Sequence, residues 1–330
     1  MVLKRGFTIA ATSLLILVLL SSWYSFEQNG TDNGPKDRVE LGTPDWLRDH
    51  GKALERSKSS GKPIFILFTE VPGCSTVKGY GKRVLSDPLI ADAIEEHFVP
   101  LAIFNNVKGK DRKVLRSYGE PTWNAPAVRI VDHTKEGVVP RLYGDYSGVA
   151  TLSRMNKALR KEEGDLPFYL KLYERELKGR SRKKAIILNM ACFWSGEAKL
   201  GRIEGVLNTR PGFMEGTEVV KLRYDPQRKG LKALLRAIHE KGAASGCFLR
   251  SKKRKEIAAR FFGEEAHRSD ESFKYAADDD DHALRGTAYE ELSLTKLQRT
   301  RVNSSLAIGK DPKKFLFPFQ KEVLKGGPDG

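Results

Sequence analysis

Between Lys184 and Glu197 the chain reads Lys-Ala-Ile-Ile-Leu-Asn-Met-Ala-Cys-Phe-Trp-Ser-Gly-Glu, and few folds accommodate that order. The unbroken apolar run from Ala185 to Leu188 predicts a buried strand. Cys192 then opens a segment with helical spacing, which places its sulfur at a helix N-terminus. Free backbone N–H groups and the positive end of the helix dipole favour the thiolate there, and the thiolate is the nucleophile. Phe193 and Trp194 follow at once and give the sulfur an aromatic wall. The plainer alternative is a buried cysteine in a strand-to-helix turn, a common place for an unpaired thiol.

Further along, Gly205 to Phe213 predicts a second strand, and Glu218 to Pro226 a third that begins with its acid. Leu231, Leu234, Leu235 and Ile238 share one face of a helix from Leu231 to His239. Strand, helix, strand, strand, helix implies an α+β sandwich with its helices on one side of a sheet.

Cys192-Phe193-Trp194, a helix, Gly205-Val206, Thr217-Glu218-Val219-Val220 and Tyr224-Asp225-Pro226 together resemble the A-type peptide methionine sulfoxide reductases. The resemblance implies a ferredoxin-like core and activity as a peptide-methionine (S)-S-oxide reductase, with neither cofactor nor metal. Cys192 would attack the sulfoxide sulfur, Phe193 and Trp194 would hold the substrate methyl group, and Glu218 would protonate the departing oxygen. For that role Glu218 must stay neutral near pH 7, which calls for burial against apolar groups such as Trp194. The chain departs from the family at Ala191, where the family has glycine. Only Met214 to Thr217 separates Phe213 from Glu218, where the family carries a long loop with a substrate-contacting tyrosine. The family's later Asp-x-Gly-x-Gln-Tyr-Arg-Ser stretch is missing, and Tyr275 and Tyr289 are the candidates for the lost contacts.

The first half repeats the theme of a thiol after a strand. Thr43-Pro44 predicts a helix start, with Thr43 as cap and the helix reaching Ser57. Ile64 to Thr69 predicts a strand, and Cys74 opens the helix after it. A helix beginning at Ser86-Asp87-Pro88 leads to a strand from Val99 to Phe104. Asn124-Ala125-Pro126 precedes a strand from Ala127 to Val131; Val138 to Tyr143 and Ser147 to Leu159 would close the unit as strand and helix. This order resembles the thioredoxin fold, and Val71-Pro72-Gly73-Cys74 resembles a bacterial thioredoxin-like group that often carries selenocysteine. The resemblance implies that Pro126 is cis and lies against Cys74. Val77 stands where thioredoxins have their second cysteine, so Cys74 would work as a monothiol, attacking a sulfenic acid or forming a mixed disulfide. Cys247, predicted in a loop, either resolves an oxidised Cys192 or is structural. Three cysteines in 330 residues make no disulfide framework.

The fold class is therefore α/β plus α+β, a thioredoxin-like domain followed by a ferredoxin-like reductase domain. Lys4 and Arg5 precede an apolar stretch from Phe7 to Phe26, so residues 1–26 read as a signal anchor or signal peptide. Residues 27–42 read as a flexible linker, 43–175 as the thioredoxin-like domain, 176–184 as a basic linker, and 185–330 as the reductase-like domain with a C-terminal helical tail. The expected location is the cell envelope, membrane-anchored with the domains exported, or secreted or periplasmic after cleavage. The net charge of +16 points to lipid headgroups or acidic peptides. Nucleic acid is set aside because no recognition motif accompanies the charge. The partners implied are oxidised proteins carrying methionine sulfoxide and an external thiol reductant such as a thioredoxin. Asp278 to Asp281 with His282 read as a solvated loop rather than a cation site. Two rival functions remain open: an envelope thiol–disulfide exchange protein that uses Cys74, and a non-catalytic envelope binding protein.

Overall fold

The computed structural model describes residues 38–326. The expected anchor, residues 1–26, and the linker up to residue 37 lie outside the described residues. Among the described residues, no helix is long and apolar enough to cross a membrane. From Val39 the chain forms one compact unit.

Its first layer is a mixed sheet of β1 (Ile64–Thr69), β2 (Val99–Phe104) and β3 (Ala127–Val131), in the order β2-β1-β3. β1 runs parallel to β2 and antiparallel to β3. Every residue of β1 and β2 is buried, as their continuous apolar runs demand. Val138 to Tyr143, expected as a strand, forms no ladder with β3: Val138 N–H donates to Ile130 and Leu142 bridges Val128, with a further isolated bridge at Val131–Gly137. Pro140 removes a ladder donor in the middle of that run.

Helix α1 spans His50–Ser60 and starts later than the Thr43 cap predicts, because Asp49 caps it through the Lys52 N–H. The residues ahead of it pair with β2 instead, Leu47 bridging Leu101. The segment after Cys74 divides into α2 (Ser75–Tyr80) and a wider π-helical turn over Gly81–Leu85. A β-carbon at Gly81 would collide with the Val39 carbonyl, so the close approach of residues 39–40 requires glycine there. Residues 39–42 are thus packed where a tether was expected: Glu40 is buried and accepts the Gly73 N–H at 2.9 Å, one residue before Cys74. Helix α3 (Pro88–His97) has Asp87 as its cap, α4 covers Lys110–Ser117, and α5 (Gly148–Glu163) closes the layer.

Residues 176–184 do not form a linker. Helix α6 (Phe168–Arg180) runs through the expected boundary, and a short turn joins it to β4 (Lys184–Asn189). The physical reason is that α6 is apolar on both sides. Tyr169, Tyr173 and Leu177 belong to the core of the first half, whereas Leu172 packs with Leu207, Leu297 and Phe315 of the second. Glu176 is buried and accepts the Thr295 hydroxyl, which fixes this helix to the C-terminal region.

The second layer contains α7 (Phe193–Leu200), β5 (Val206–Asn208), β6 (Pro211–Met214), β7 (Thr217–Tyr224), α8 (Leu231–Glu240), β8 (Gly246–Phe248), α9 (Lys252–Phe262), β9 (Ala266–His267) and β10 (Lys274–Tyr275). The central strands lie in the order β6-β7-β4-β8 with antiparallel neighbours, the ferredoxin-like arrangement. The single strand predicted from Gly205 to Phe213 is split into β5 and β6, both paired with β7. β4 is buried on alternate residues, Ile186 and Leu188 facing the core, rather than throughout. Met214 to Thr217 forms a tight hairpin whose central residues, Glu215 and Gly216, both have positive φ, at 50° and 71°. Two successive positive φ values suit the right-handed twist of the flanking strands. In the C-terminal tail, α10 (Lys296–Leu306) packs against α7, and α11 (Pro318–Lys325) packs against α3. Phe317, just ahead of α11, is buried in the core of the first half.

Candidate active site

Cys192 is the N-cap residue of α7, half-buried, with extended backbone. Its neighbour Phe193 has an N–H that the helix itself cannot satisfy. Glu218 meets it: Oε2 accepts the Phe193 N–H at 2.8 Å. The Glu218 carbonyl also accepts the Met190 N–H at 2.9 Å, pinning the start of β7 to the end of β4. Strand, turn, thiol and acid are therefore held together by two bonds to Glu218, one to its carbonyl from two residues before the sulfur and one to its carboxylate from the residue after it.

The two rings after Cys192 part ways. Phe193 is buried and belongs to the core, at 5.6 Å centroid separation from Phe213 in an edge-on pair. Trp194 is 42% exposed and stacks on His282 at 3.9 Å, with its Nε1–H donating to Asp279 at 3.2 Å. Phe213, also 43% exposed, lies directly across the hairpin from Glu218. The exposed aromatic surface near the sulfur thus comes from Trp194 and Phe213, and Phe193 supports it from beneath.

A second carboxyl matters here and is not evident from the cysteine motif. Glu197 is fully buried, and burial together with Asp280 and Asp281 pushes its carboxyl up to about 8. The fully buried acid of this region is thus on the helix rather than on β7; Glu218, expected to be buried, is only half-buried. Asp281 is pushed up to about 6, first by burial and then by Asp280, while Arg299 Nε donates to it at 2.6 Å. One oxygen from each of Glu197, Asp280 and Asp281 lies within 4.8 Å of the others. That corrects the solvated-loop reading at Asp280 and Asp281, whereas Asp278 is exposed as expected. The left-handed backbone of Asp281, φ 53°, turns consecutive aspartates toward one point. These three groups are the oxygen donors at this site that a hard cation could use. The Tyr275 hydroxyl donates to Asp280, which ties β10 to the same acidic corner, whereas Tyr289 packs with Leu284, Leu292 and Leu297 in the cluster under α10.

Gly196 is what lets α7 sit so close to the preceding turn. A β-carbon there would come within 2.5 Å of the Met190 sulfur. Phe193, Gly196, Glu197 and Leu200 follow a three–four spacing on the buried side of the helix, widened by Ala198, so the sequence does place Glu197 on the core face.

The other thiols differ from Cys192. Cys74 is exposed at the N-cap of α2, next to Gly73, and the peptide bonds before Pro72 and Pro126 are both cis. The loop leading to Pro126 is held by Glu120, whose buried carboxylate accepts from Arg129 at 2.6 Å, Arg141 at 2.7 Å and Asn124 at 3.1 Å. Cys247 lies in strand β8 and not in a loop, in register with Leu188, and it is fully buried. Burial pushes its thiol up to about 12, which leaves it a poor resolving group while the sheet is intact.

No family model matches the chain. Over 79 residues it is 32% identical to peptide methionine sulfoxide reductase MsrA from three strains of Vibrio cholerae serotype O1. The similarity covers 19% of this chain and 37% of that relative, so the chain spans little more than a third of the length of the curated relatives it matches. This partial likeness falls in the same family that Cys192-Phe193-Trp194 resembles. Among solved structures, a DsbH oxidoreductase is 17% identical with a TM-score of 0.32, covering 41% of this chain and 98% of its own. A thioredoxin from Thermus thermophilus is 22% identical with a TM-score of 0.32, covering 37% and 91% respectively.

Proposed function

We propose that the chain is a thiol-dependent oxidoreductase that reduces methionine-S-sulfoxide in oxidised peptides and proteins. The observation that carries the reading is the bond between the Glu218 carboxylate and the Phe193 N–H, which holds an acid at the head of the helix that Cys192 opens. The partial likeness to the Vibrio reductases supports it.

In this reading Cys192 Sγ attacks the sulfoxide sulfur, and the oxygen leaves that sulfur for the cysteine. Glu218 delivers a proton to that oxygen as the sulfide departs, and Cys192 is left as sulfenic acid. The substrate methyl group would lodge between the exposed Trp194 and Phe213 rings. A second thiol then condenses with the sulfenic acid, giving a disulfide and water, and an external thiol reductant such as a thioredoxin restores the enzyme. Cys74 is the accessible internal candidate for that second thiol; Cys247 is not. The expected N-terminal anchor would place this chemistry in the cell envelope.

The test is turnover of a peptide methionine-S-sulfoxide by the full-length chain with a dithiol reductant, beside Cys192→Ser. Turnover by the wild type that is lost in the variant is expected; equal rates in the two would reject the assignment. The second reading, thiol–disulfide exchange by Cys74, rests on its exposed position at a helix start. Mixed disulfides trapped on Cys74 that persist in Cys192→Ser would favour it.

A further inference from the structure

Away from the thiols, a cleft of about 460 Å³ opens between the two layers, walled by α5 and α6 on one side and by residues 205–228 and α10 on the other. Seven lysine and arginine side chains line it, against two carboxylates, Glu174 and Asp225. Glu174 is shared by Arg160 and Lys178, and Asp225 pairs with Arg182 at 2.7 Å. Lys171 and Arg228 find their acids, Asp165 and Glu204, outside the lining. Arg175 and Arg301 have no carboxylate within 4.0 Å among the described residues. Even with the outside acids counted, the cations are in excess.

The two unpaired guanidiniums are the informative ones. Arg301 donates from both terminal nitrogens to the backbone carbonyls of Gly201, Ile203 and Val206, so its fork is held by neutral acceptors and its charge stays in the wall of the cleft. Burial and the neighbouring Arg175 pull it down to about 10. Arg175 is lowered in turn, by burial and then by Arg228, with Glu204 and Glu174 acting the other way. Like charges facing one another across a concave, solvent-filled hollow repel, and an isolated protein gains nothing from placing them there. An anion in the hollow converts each repulsion into an attraction, and guanidinium forks suit phosphate oxygens in particular. Val206, Leu207 and Leu297 provide an apolar floor of the kind that small-ligand sites have. Beyond Leu207 a second hollow of about 370 Å³ continues the pattern, with Arg180, Lys183, Arg223 and Lys296 beside Glu176.

We propose that this cleft is a binding site for a small phosphate-bearing anion, held chiefly by Arg175 and Arg228 with the charge of Arg301 behind them. The site is independent of the thiol chemistry. It joins α6 to the second layer, so an occupant would brace the two halves against each other.

The experiment is calorimetric titration of the full-length chain with tripolyphosphate, together with vesicle binding to phosphatidylcholine with and without phosphatidylglycerol. A charge-matched pair of variants separates a built site from general attraction to a basic protein: Arg175→Gln/Arg228→Gln in the cleft, and Lys252→Gln/Lys253→Gln on the exposed start of α9. Saturable 1:1 binding of tripolyphosphate is expected, weakened about tenfold or more in the cleft variant, as loss of a charge-assisted contact implies, and unchanged in the α9 variant. Arg175→Lys, which keeps the charge, should retain most of the affinity and shows that the fold tolerates the position. Cleft-dependent binding confined to phosphatidylglycerol vesicles would identify the phosphate source as a lipid headgroup. Equal losses in the two double variants, no loss in either, or no saturable binding of any probe would overturn the proposal.

Discussion

Cys74 and Cys192 occupy the same local position, the residue that caps a helix after a strand, yet they are surrounded differently. Around Cys192, β7 brings Glu218 onto the first free N–H of the helix, the hairpin brings Phe213, and the chain beyond β10 brings Asp279 and His282 to Trp194. Around Cys74 the corresponding acid, Glu40, binds the Gly73 N–H, on the residue before the sulfur rather than after it. Cys74 also acts on Tyr146, whose hydroxyl is raised first by burial and further by Tyr143 and by Cys74 itself. A helix start can activate a thiol in either place. At Cys192 a carboxyl sits on the first N–H of the helix beside the exposed Trp194 and Phe213, whereas the groups around Cys74 are the phenols Tyr143 and Tyr146. What a thiol does is decided by what other strands deliver to it.

That contrast breaks most readily in a single-turnover experiment without reductant. Cys192→Ser should lower the rate of sulfide formation by on the order of 10³ or more, the scale on which a lost nucleophile is felt. Cys74→Ser should leave the first turnover within about twofold, since Cys74 enters only after the oxygen has been transferred. If Cys74→Ser loses as much as Cys192→Ser, the two helix starts are not functionally distinct. A smaller effect sharpens the role of the acid. Glu218→Gln keeps an oxygen that can accept the Phe193 N–H but cannot donate an acid proton, so kcat should fall about 10²-fold with KM little changed. A drop confined to KM would make Glu218 a cap and not a proton donor.

Much of this was readable in the residues, for identifiable reasons. The strands Ile64–Thr69 and Val99–Phe104 match their apolar runs end for end, because a strand buried on both faces leaves no polar position to confuse the pattern. Asp87-Pro88 marked its helix start through a side-chain cap and a proline at the first turn. The helix Phe168–Arg180 went unread because it is buried on two sides by partners distant in sequence and carries Glu174 and Glu176 inside, so it lacks a clean apolar stripe. At the site, the neighbours along the chain were legible and those brought by tertiary contact were not. Phe193 and Trp194 announce themselves beside Cys192. Their separation into a buried prop and an exposed wall depends on Phe213 and His282, which no local spacing specifies. The convergence of Asp280 and Asp281 on Glu197 required a left-handed aspartate that pattern reading does not anticipate.

The buried acid beside Cys74, Glu40, stands on a backbone N–H, whereas Glu197 of the Cys192 region is buried against two aspartates, and it makes the mildest of these predictions, on stability. In the folded chain the Glu197 carboxyl is raised to about 8 from its ordinary 4.5. Below the lower value both folded and unfolded states hold the proton, and the contribution to stability is complete. As pH rises between the two values the unfolded chain releases its proton while the folded chain must keep it, so stability falls, and it levels off once the folded carboxyl also ionises. Asp281, raised to about 6, adds a loss of the same sign over the lower part of that range. Glu197→Gln removes the proton linkage at this position and offers amide donors to the neighbouring aspartates. The variant should therefore match the wild type near pH 5 and exceed it near pH 8 by about 1–3 kcal/mol, less than the full linkage because water and Arg299 relieve part of the charge. Urea midpoints measured at the two pH values check this. A wild type that is as stable at pH 8 as at pH 5, with the variant tracking it, would mean that Glu197 is ionised and compensated in the folded protein, and that the acidic corner behind Trp194 is an ion-paired support rather than a neutral one.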